Sequence, residues 1–395
     1  MLNPYRLLGL FLSPWKDEPT IKGLVRLIEN GELDWRPLVY LANLHSCTPL
    51  WYVRLKQDNL LQKIPFDLKE YLYNLFLLNV RRNKLLHQML EELLPAFNNA
   101  ALDVILLKGA ASFCDDLFGN PGARMMIDID LLVADRQLED ALYILNRLGY
   151  QEMPDPGLQP DGLPTDARHH HLPMYAKPGA PAGLEIHFKI AYGQASRALA
   201  VETAWQSKRK AILAGNCAAW VLSPTHRLLH NAVHGVVPHG EFIRSEISLL
   251  HLTDFAYLTH RYQAEIDWQD WLAAGKKAGL GSQLLAYAEI AHQLMHVPLS
   301  PYLRPGRRGG VHARRIILAG KYLAVHRDIY RSSGERLTRL IVLFLVKIYY
   351  YITMMPWAWQ NVGYVEQGGN IAVRIRYLIR KTFRHAWKRL GRSGS

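Results

Sequence analysis

The chain of 395 residues is 49% hydrophobic and 21% charged, which argues against a disordered polymer and allows two or three folded domains. Its formal net charge of +13 points to an anionic partner, whether nucleotide, nucleic acid or acidic lipid surface. Three widely spaced cysteines, Cys47, Cys114 and Cys217, form no CxxC pair; they argue against a disulfide framework and suit a reducing, cytoplasmic compartment.

The opening stretch "MLNPYRLLGLFLSPW" has a short apolar patch, one charge and no small-residue cleavage site, so it reads as a first core element and not as a signal peptide. "DEPTIKGLVRLIENG" opens on acidic residues and closes at Gly31, as a capped helix does. The segments "DWRPLVYLANLHSCTPLWYVRL" and "LKEYLYNLFLLNVRRNKLLHQMLEELLPAF" carry apolar residues at steps of three and four and predict helices. The texture changes at Leu102: "LDVILL" predicts a strand, "KGAASFCDDLFG" a helical segment and "MMIDIDLLV" a second strand. "RQLEDALYILNRLGY" then predicts an amphipathic helix stopped at Gly149, and "HHLPMYA" and "GLEIHFKI" two strands around the turn "KPGAPAG". From Pro224 onward helical patterning dominates, and "RPGRRGG" at 304–310 reads as a hinge. The expected organisation is a helical region over 1–100, an α/β unit over 101–222, a helical domain packed on it over 223–303, and a basic helical region over 304–395.

The chemistry sits in "MMIDIDLLV". Alternate side chains of a strand share a face, so Asp128 and Asp130 point the same way, ~7 Å apart, inside an apolar run. Two like charges in such a place make sense where a divalent cation neutralises them. Mg²⁺ (or Mn²⁺) held by carboxylates and substrate phosphates would serve an in-line phosphoryl displacement. That reading requires a phosphate-binding turn before a helix, and "LLKGAAS" supplies Lys108 and Gly109. Arg124 lies four residues before Asp128, ready to contact phosphate or to balance the carboxylates. The reading requires a third acid from another strand, and "LEIHF" places Glu185 and His187 on one face.

The run "LLKGAAS…LFGNPGARMMIDIDLLV…GLEIHF" resembles the uncharacterised nucleotidyltransferase family of the DNA polymerase β superfamily. The likeness takes in the helix "DWRPLVYLANLHSCTPLWYVRL" and the later "LSPTHRLLHNAVHG…LLHLTDFAYL", covering roughly residues 30 to 260. The resemblance implies an α+β fold: a polymerase-β-like palm flanked by N-terminal and C-terminal helical regions. It implies Asp128 and Asp130 as metal ligands with Glu185 as third acid. Lys108, Gly109 and Arg124 would hold an NTP, ATP included, from which NMP passes to an acceptor hydroxyl on a protein, sugar or nucleic acid. Lys108 and Gly109 stand where better-known relatives carry a Gly-Ser turn. The alternative is a catalytically idle palm that binds nucleotide or acts as a scaffold.

Further candidates are weighed against plain packing. His187 and His171 are expected to support the site, while His226, His230 and His234, at successive four-residue steps, suit either zinc or a helix packed on the palm. Asp115 and Asp116 read as exposed helix charges. Residues 340–359 have the length of a membrane span but contain Lys347, and read as a buried helix. Residues 371–392 form a basic amphipathic pattern with Tyr377, Phe383 and Trp387, suited to a peripheral position on an anionic membrane surface or to nucleic acid. Asn at either Asp128 or Asp130 is expected to leave the fold intact and, without metal, to raise stability by removing like-charge repulsion.

Overall fold

The computed structural model describes residues 3–153, 170–191, 193–213, 217–237, 247–304 and 306–323. The helices expected over 340–359 and 371–392 lie outside the described residues. Among those described, no helix is long and apolar enough to cross a membrane.

Five helices precede the sheet: α1 (Pro4–Leu12), α2 (Glu18–Glu29), α3 (Trp35–Leu44), α4 (Thr48–Gln57) and α5 (Phe66–Asn99). The first two starts have a clear local cause. Asn3 caps α1 and Asp17 caps α2 through side-chain acceptors, and Pro occupies the first turn of both. The chain leaves α2 through Gly31, whose φ of +69° is open to glycine at no steric penalty. The expected N-terminal core element is α1, which buries Leu8, Phe11 and Leu12 completely.

The sheet contains β1 (Val104–Leu106), β2 (Asp128–Val133), β3 (Gln151–Glu152), β4 (Tyr175–Ala176), β5 (Gly183–His187), β6 (Arg209–Leu213) and β7 (Cys217–Val221). Their order across the sheet is β3-β4-β5-β2-β1-β7-β6. The arrangement is mixed: β2 runs antiparallel to β1 and parallel to β5, while β1 is parallel to β7. This is the α+β fold expected from the sequence. The pair β6 and β7 is an addition that the sequence patterning does not mark, because "RKAIL" and "CAAWV" lack clean alternation. The "KGAASFCDDLFG" segment is mostly turn, with a four-residue helix, α6 (Ser112–Asp115), at its centre.

One face of the sheet is closed by α5 and by α7 (Leu138–Arg147). Leu90, Leu93, Leu94 and Phe97 of α5 meet Ile129, Leu131 and Val133 of β2 and Leu184 and Ile186 of β5, all buried. Burying each such side chain is worth roughly 1.5–3 kcal/mol, so this layer fixes which face of β2 and β5 remains for chemistry. After α8 (Val201–Gln206) and the β6–β7 hairpin come α9 (Pro224–Val236), α10 (Leu249–Arg261), α11 (Trp268–Lys277), α12 (Gly281–Met295) and α13 (Arg307–Leu323). Residues 307–310 of "RPGRRGG", read as a hinge, form the first turn of α13, which is tied back to the N-terminus by Asn3 Nδ2 donating to the Ile317 carbonyl at 3.0 Å.

A second device in α5 positions the site. The loop that enters β2 exposes backbone carbonyls to the buried side of this helix, where buried asparagines meet them. Asn79 Nδ2 donates to the Gly122 and Arg124 carbonyls at 2.8 and 3.1 Å, and Asn83 Nδ2 to Pro121 and Arg124 at 2.6 and 2.8 Å. Arg82 Nε donates to the Met126 carbonyl at 2.7 Å. These bonds satisfy acceptors that the loop would otherwise bury unpaired. Asn83→Ala is therefore expected to destabilise the fold by about 1–3 kcal/mol. Chemical denaturation measures this, and an unchanged midpoint would show that the clamp is dispensable.

Candidate active site

Alternation along β2 sends Ile129, Leu131 and Val133 into the core and leaves Asp128 and Asp130 on the opposite face. The parallel register then decides the partners: Asp130 stands opposite Glu185, and Leu132 opposite His187. A one-residue slip would turn both sets of side chains over, so the apolar layer beneath also fixes the site.

β1 ends at Leu106, and two residues later Lys108 adopts a φ of +44°. A non-glycine residue in this left-handed region costs roughly 1–2 kcal/mol. Its side chain reaches the acids, with Nζ 2.6 Å from Asp130 Oδ1 and 3.7 Å from Glu185 Oε2. The same two oxygens meet His187, whose Nε2 lies 2.9 Å from Asp130 Oδ1 and 3.5 Å from Glu185 Oε2. Nε2 faces two acceptors, so it carries a proton and donates, while Nδ1 is buried without a partner among the described residues. Asp130 is 2% exposed and His187 fully buried.

The electrostatics follow from these contacts. Burial alone would raise the Asp130 carboxyl, but Lys108 and then His187 hold it well below the usual carboxylate range. Burial pulls the Lys108 ammonium down, and Asp130 and Glu185 more than restore it, leaving it raised. His187 is likewise lowered by burial and raised on balance by its bonds to Asp130 and Glu185. Asp128 has the opposite fate. Burial, followed by the Asp130 charge, pushes its carboxyl up to about 6.

His171 bridges to His187 across the sheet, and the His170 and His171 rings lie 5.1 and 5.3 Å from the His187 ring. Arg124 faces Asp254 of α10, with Nε and Nη2 donating to Oδ1 and Oδ2 at 2.8 and 2.7 Å. This fork ties the loop before β2 to the helical layer. Gly109 lies beneath it: a Cβ there would collide with the Arg124 guanidinium and the Met126 side chain. Asp254 was not singled out in the sequence, although a lone acid inside "HLTDFAYL" is the same kind of signal as the acids of "MMIDIDLLV".

Lys108 also belongs to an open cleft, lined with it by Ser112, Arg124, Arg227, His230, Asn231, His234 and His251 among others. His230 is pushed down to about 3 by burial and then by the Lys108 charge, so its imidazole is neutral. Neither His230 nor His234 belongs to a metal-ligating group among the described residues, and both face the cleft. His226 instead lies 2.6 Å from Ser207 Oγ and 3.6 Å from Asp270. Asp115 is corrected from an exposed helix charge to a half-buried anchor: it pairs with Arg227 and accepts from the Tyr262 hydroxyl at 2.6 Å. Asp116 is exposed as expected.

A metal fits this donor set. Asp130, Glu185 and His187 each offer a ligand atom within 4.8 Å of the others, and His187 would ligate through Nε2 only after giving up the proton it shares with the two acids. Two carboxylate oxygens and an imidazole suit a divalent first-row ion, and oxygen donors suit Mg²⁺. Asp128, expected among the ligands, stands on the same face outside that trio.

The family model for an uncharacterised nucleotidyltransferase matches residues 31–296, from the end of α2 to the end of α12. The chain belongs to this nucleotidyltransferase family. No curated protein and no solved structure matches it. The family region thus contains the whole acidic site, the cleft and the Arg124–Asp254 fork.

The contrasting environments of the two aspartates separate their substitutions. The expected gain in stability is kept for Asp128 and reversed for Asp130, because Asn at 130 would leave the Lys108 ammonium and the His187 donor without their anion. Asp130→Asn is expected to cost about 3–5 kcal/mol, the scale for removing one partner of a buried pair. Asp128→Asn should raise the melting temperature of the metal-free protein at pH 7.5. The Asp128 carboxyl is raised, so its contribution is fully present below about pH 4, where the unfolded group also holds its proton. It is lost as pH rises through about 6. Asp128→Asn should abolish that segment of the stability profile, and equal effects of the two variants would contradict the assignment.

Proposed function

We propose that this chain is a divalent-cation-dependent nucleotidyltransferase that moves an NMP from an NTP to an acceptor hydroxyl. The observation that carries the reading is the cross-strand pair Asp130 and Glu185, with Asp128 on the same face, contacted by Lys108, which also lines a neighbouring cleft. Family membership supports the same reaction class.

In this reading Asp130 and Glu185, joined by Asp128 of the same face, would hold Mg²⁺ or Mn²⁺, with His187 beside them and His171 packed behind. Such an ion would supply Lewis-acid stabilisation of the phosphoryl oxygens. Lys108 acts as a point charge on phosphate, Gly109 lets the turn approach closely, and Arg124, fixed by Asp254, shapes that turn. The acceptor hydroxyl attacks the α-phosphorus, pyrophosphate leaves, and Glu185 is the group proposed to take the hydroxyl proton. The acceptor class is a protein, a sugar or a nucleic acid. The basic segment over 371–392 would hold the protein against an anionic membrane surface.

Incubation with each α-labelled NTP and Mg²⁺ or Mn²⁺ tests the proposal, with label sought on protein, RNA and small molecules. Transfer is expected from at least one NTP. Asp128→Asn and Glu185→Gln should each reduce it about a hundredfold or more, the scale of losing one electrostatic contact to the transition state. Nucleotide binding without transfer would support the idle-palm alternative, and wild-type rates in both variants would end the metal-site reading.

A further inference from the structure

We propose that Lys108 is an exchangeable counter-cation of the acidic site, displaced when a divalent cation enters and then turned toward an anionic ligand in the adjoining cleft. The inference rests on reading Asp130 and Glu185 as cation ligands. Its own content is a coupling between two binding events through one side chain.

Three observations carry it. First, the ammonium occupies the ground a cation needs, 2.6 Å from Asp130 Oδ1 and 3.7 Å from Glu185 Oε2. Second, the same side chain lines the neighbouring cleft, so a rotation of its flexible stem exchanges one environment for the other. Third, Lys108 is held with φ +44°, where a side chain is strained, so the backbone is arranged to carry this lysine over the acids.

The two cations exclude each other because they need the same oxygens: an ion held by Asp130 and Glu185 would take the place of the ammonium at Asp130 Oδ1 and Glu185 Oε2. At about 4 Å two unit charges at a protein surface interact by several RT, and a dication doubles that repulsion. Lys108 must therefore withdraw as the ion arrives. The cleft also holds Arg124 and Arg227, each paired with an acid (Asp254 and Asp115), and the neutral His230, so Lys108 turned into it would add a positive charge there. By linkage, an anion that captures Lys108 tightens the cation site, and the cation tightens the anion site by the same factor. A triphosphate satisfies both halves.

The test uses the full chain and Mn²⁺ alone, with free Mn²⁺ followed by electron paramagnetic resonance. Lys108→Met is expected to bind Mn²⁺ roughly tenfold more tightly than wild type, within the range by which neighbouring groups alter metal affinity. A second measurement needs no substitution: acylation of Lys108 by an amine-reactive reagent, read by peptide mass spectrometry, should speed up severalfold when Mn²⁺ is added to wild type. Equal or weaker Mn²⁺ binding by Lys108→Met, or labelling that Mn²⁺ leaves unchanged or slows, would overturn the exchange and make Lys108 a permanent structural partner of Asp130. Glu185→Gln separates this failure from failure of the underlying reading. Weakened Mn²⁺ binding in that variant keeps the cation site and leaves Lys108 to be judged by the other results. Mn²⁺ binding at wild-type affinity in Glu185→Gln would place the cation elsewhere and overturn both.

Discussion

The parallel pairing of β2 with β5 sets Asp130 directly opposite Glu185 on a face that the protein has otherwise buried. Carboxylates so placed repel each other and have lost most of their water, so the arrangement survives only with cations at hand. Lys108 comes from the turn after β1 and His187 from the end of β5, each reaching Asp130 Oδ1. The rest of the architecture serves that meeting point. The apolar layer of α5 and α7 fixes the register, the asparagines of α5 hold the entering loop, and the Arg124–Asp254 fork joins the loop to the helical side.

The same pattern explains why Asp128 and Asp130, two residues apart, behave so differently. Asp130 is neutralised by two donors and remains ionised far below the usual range, whereas Asp128 meets chiefly burial and the negative charge of its neighbour. One carboxylate is thus tightly held and the other is held in an unfavourable state. A site that favours added positive charge is the direct consequence, and this is the physical link between the fold and the nucleotidyltransferase family to which the chain belongs.

Much of this was legible in the residues alone. A short apolar strand carrying two acids, preceded by a Lys-Gly turn and followed by "LEIHF", needs a common face and a cation, and period-two alternation is enough to say so. What the sequence could not supply was which neighbour meets which acid. The left-handed backbone of Lys108 is invisible to any hydrophobic pattern, since lysine carries no preference for it. The Arg124–Asp254 fork joins residues 130 positions apart, and Asp115 reaches Arg227 over 112, so their burial depends on tertiary packing. The β6–β7 hairpin escaped notice because its exposed edge keeps Arg209, Lys210 and Ile212 in solvent and so blurs the alternation.

The account turns on the claim that the Asp130–Glu185 face is a cation site. Anomalous diffraction from crystals of the full chain soaked in Mn²⁺ tests it most directly. The account predicts a single strong peak bounded by Asp130 and Glu185, with the Lys108 side chain moved off Asp130. A peak elsewhere, or none while Lys108 and His187 still hold Asp130, would contradict it.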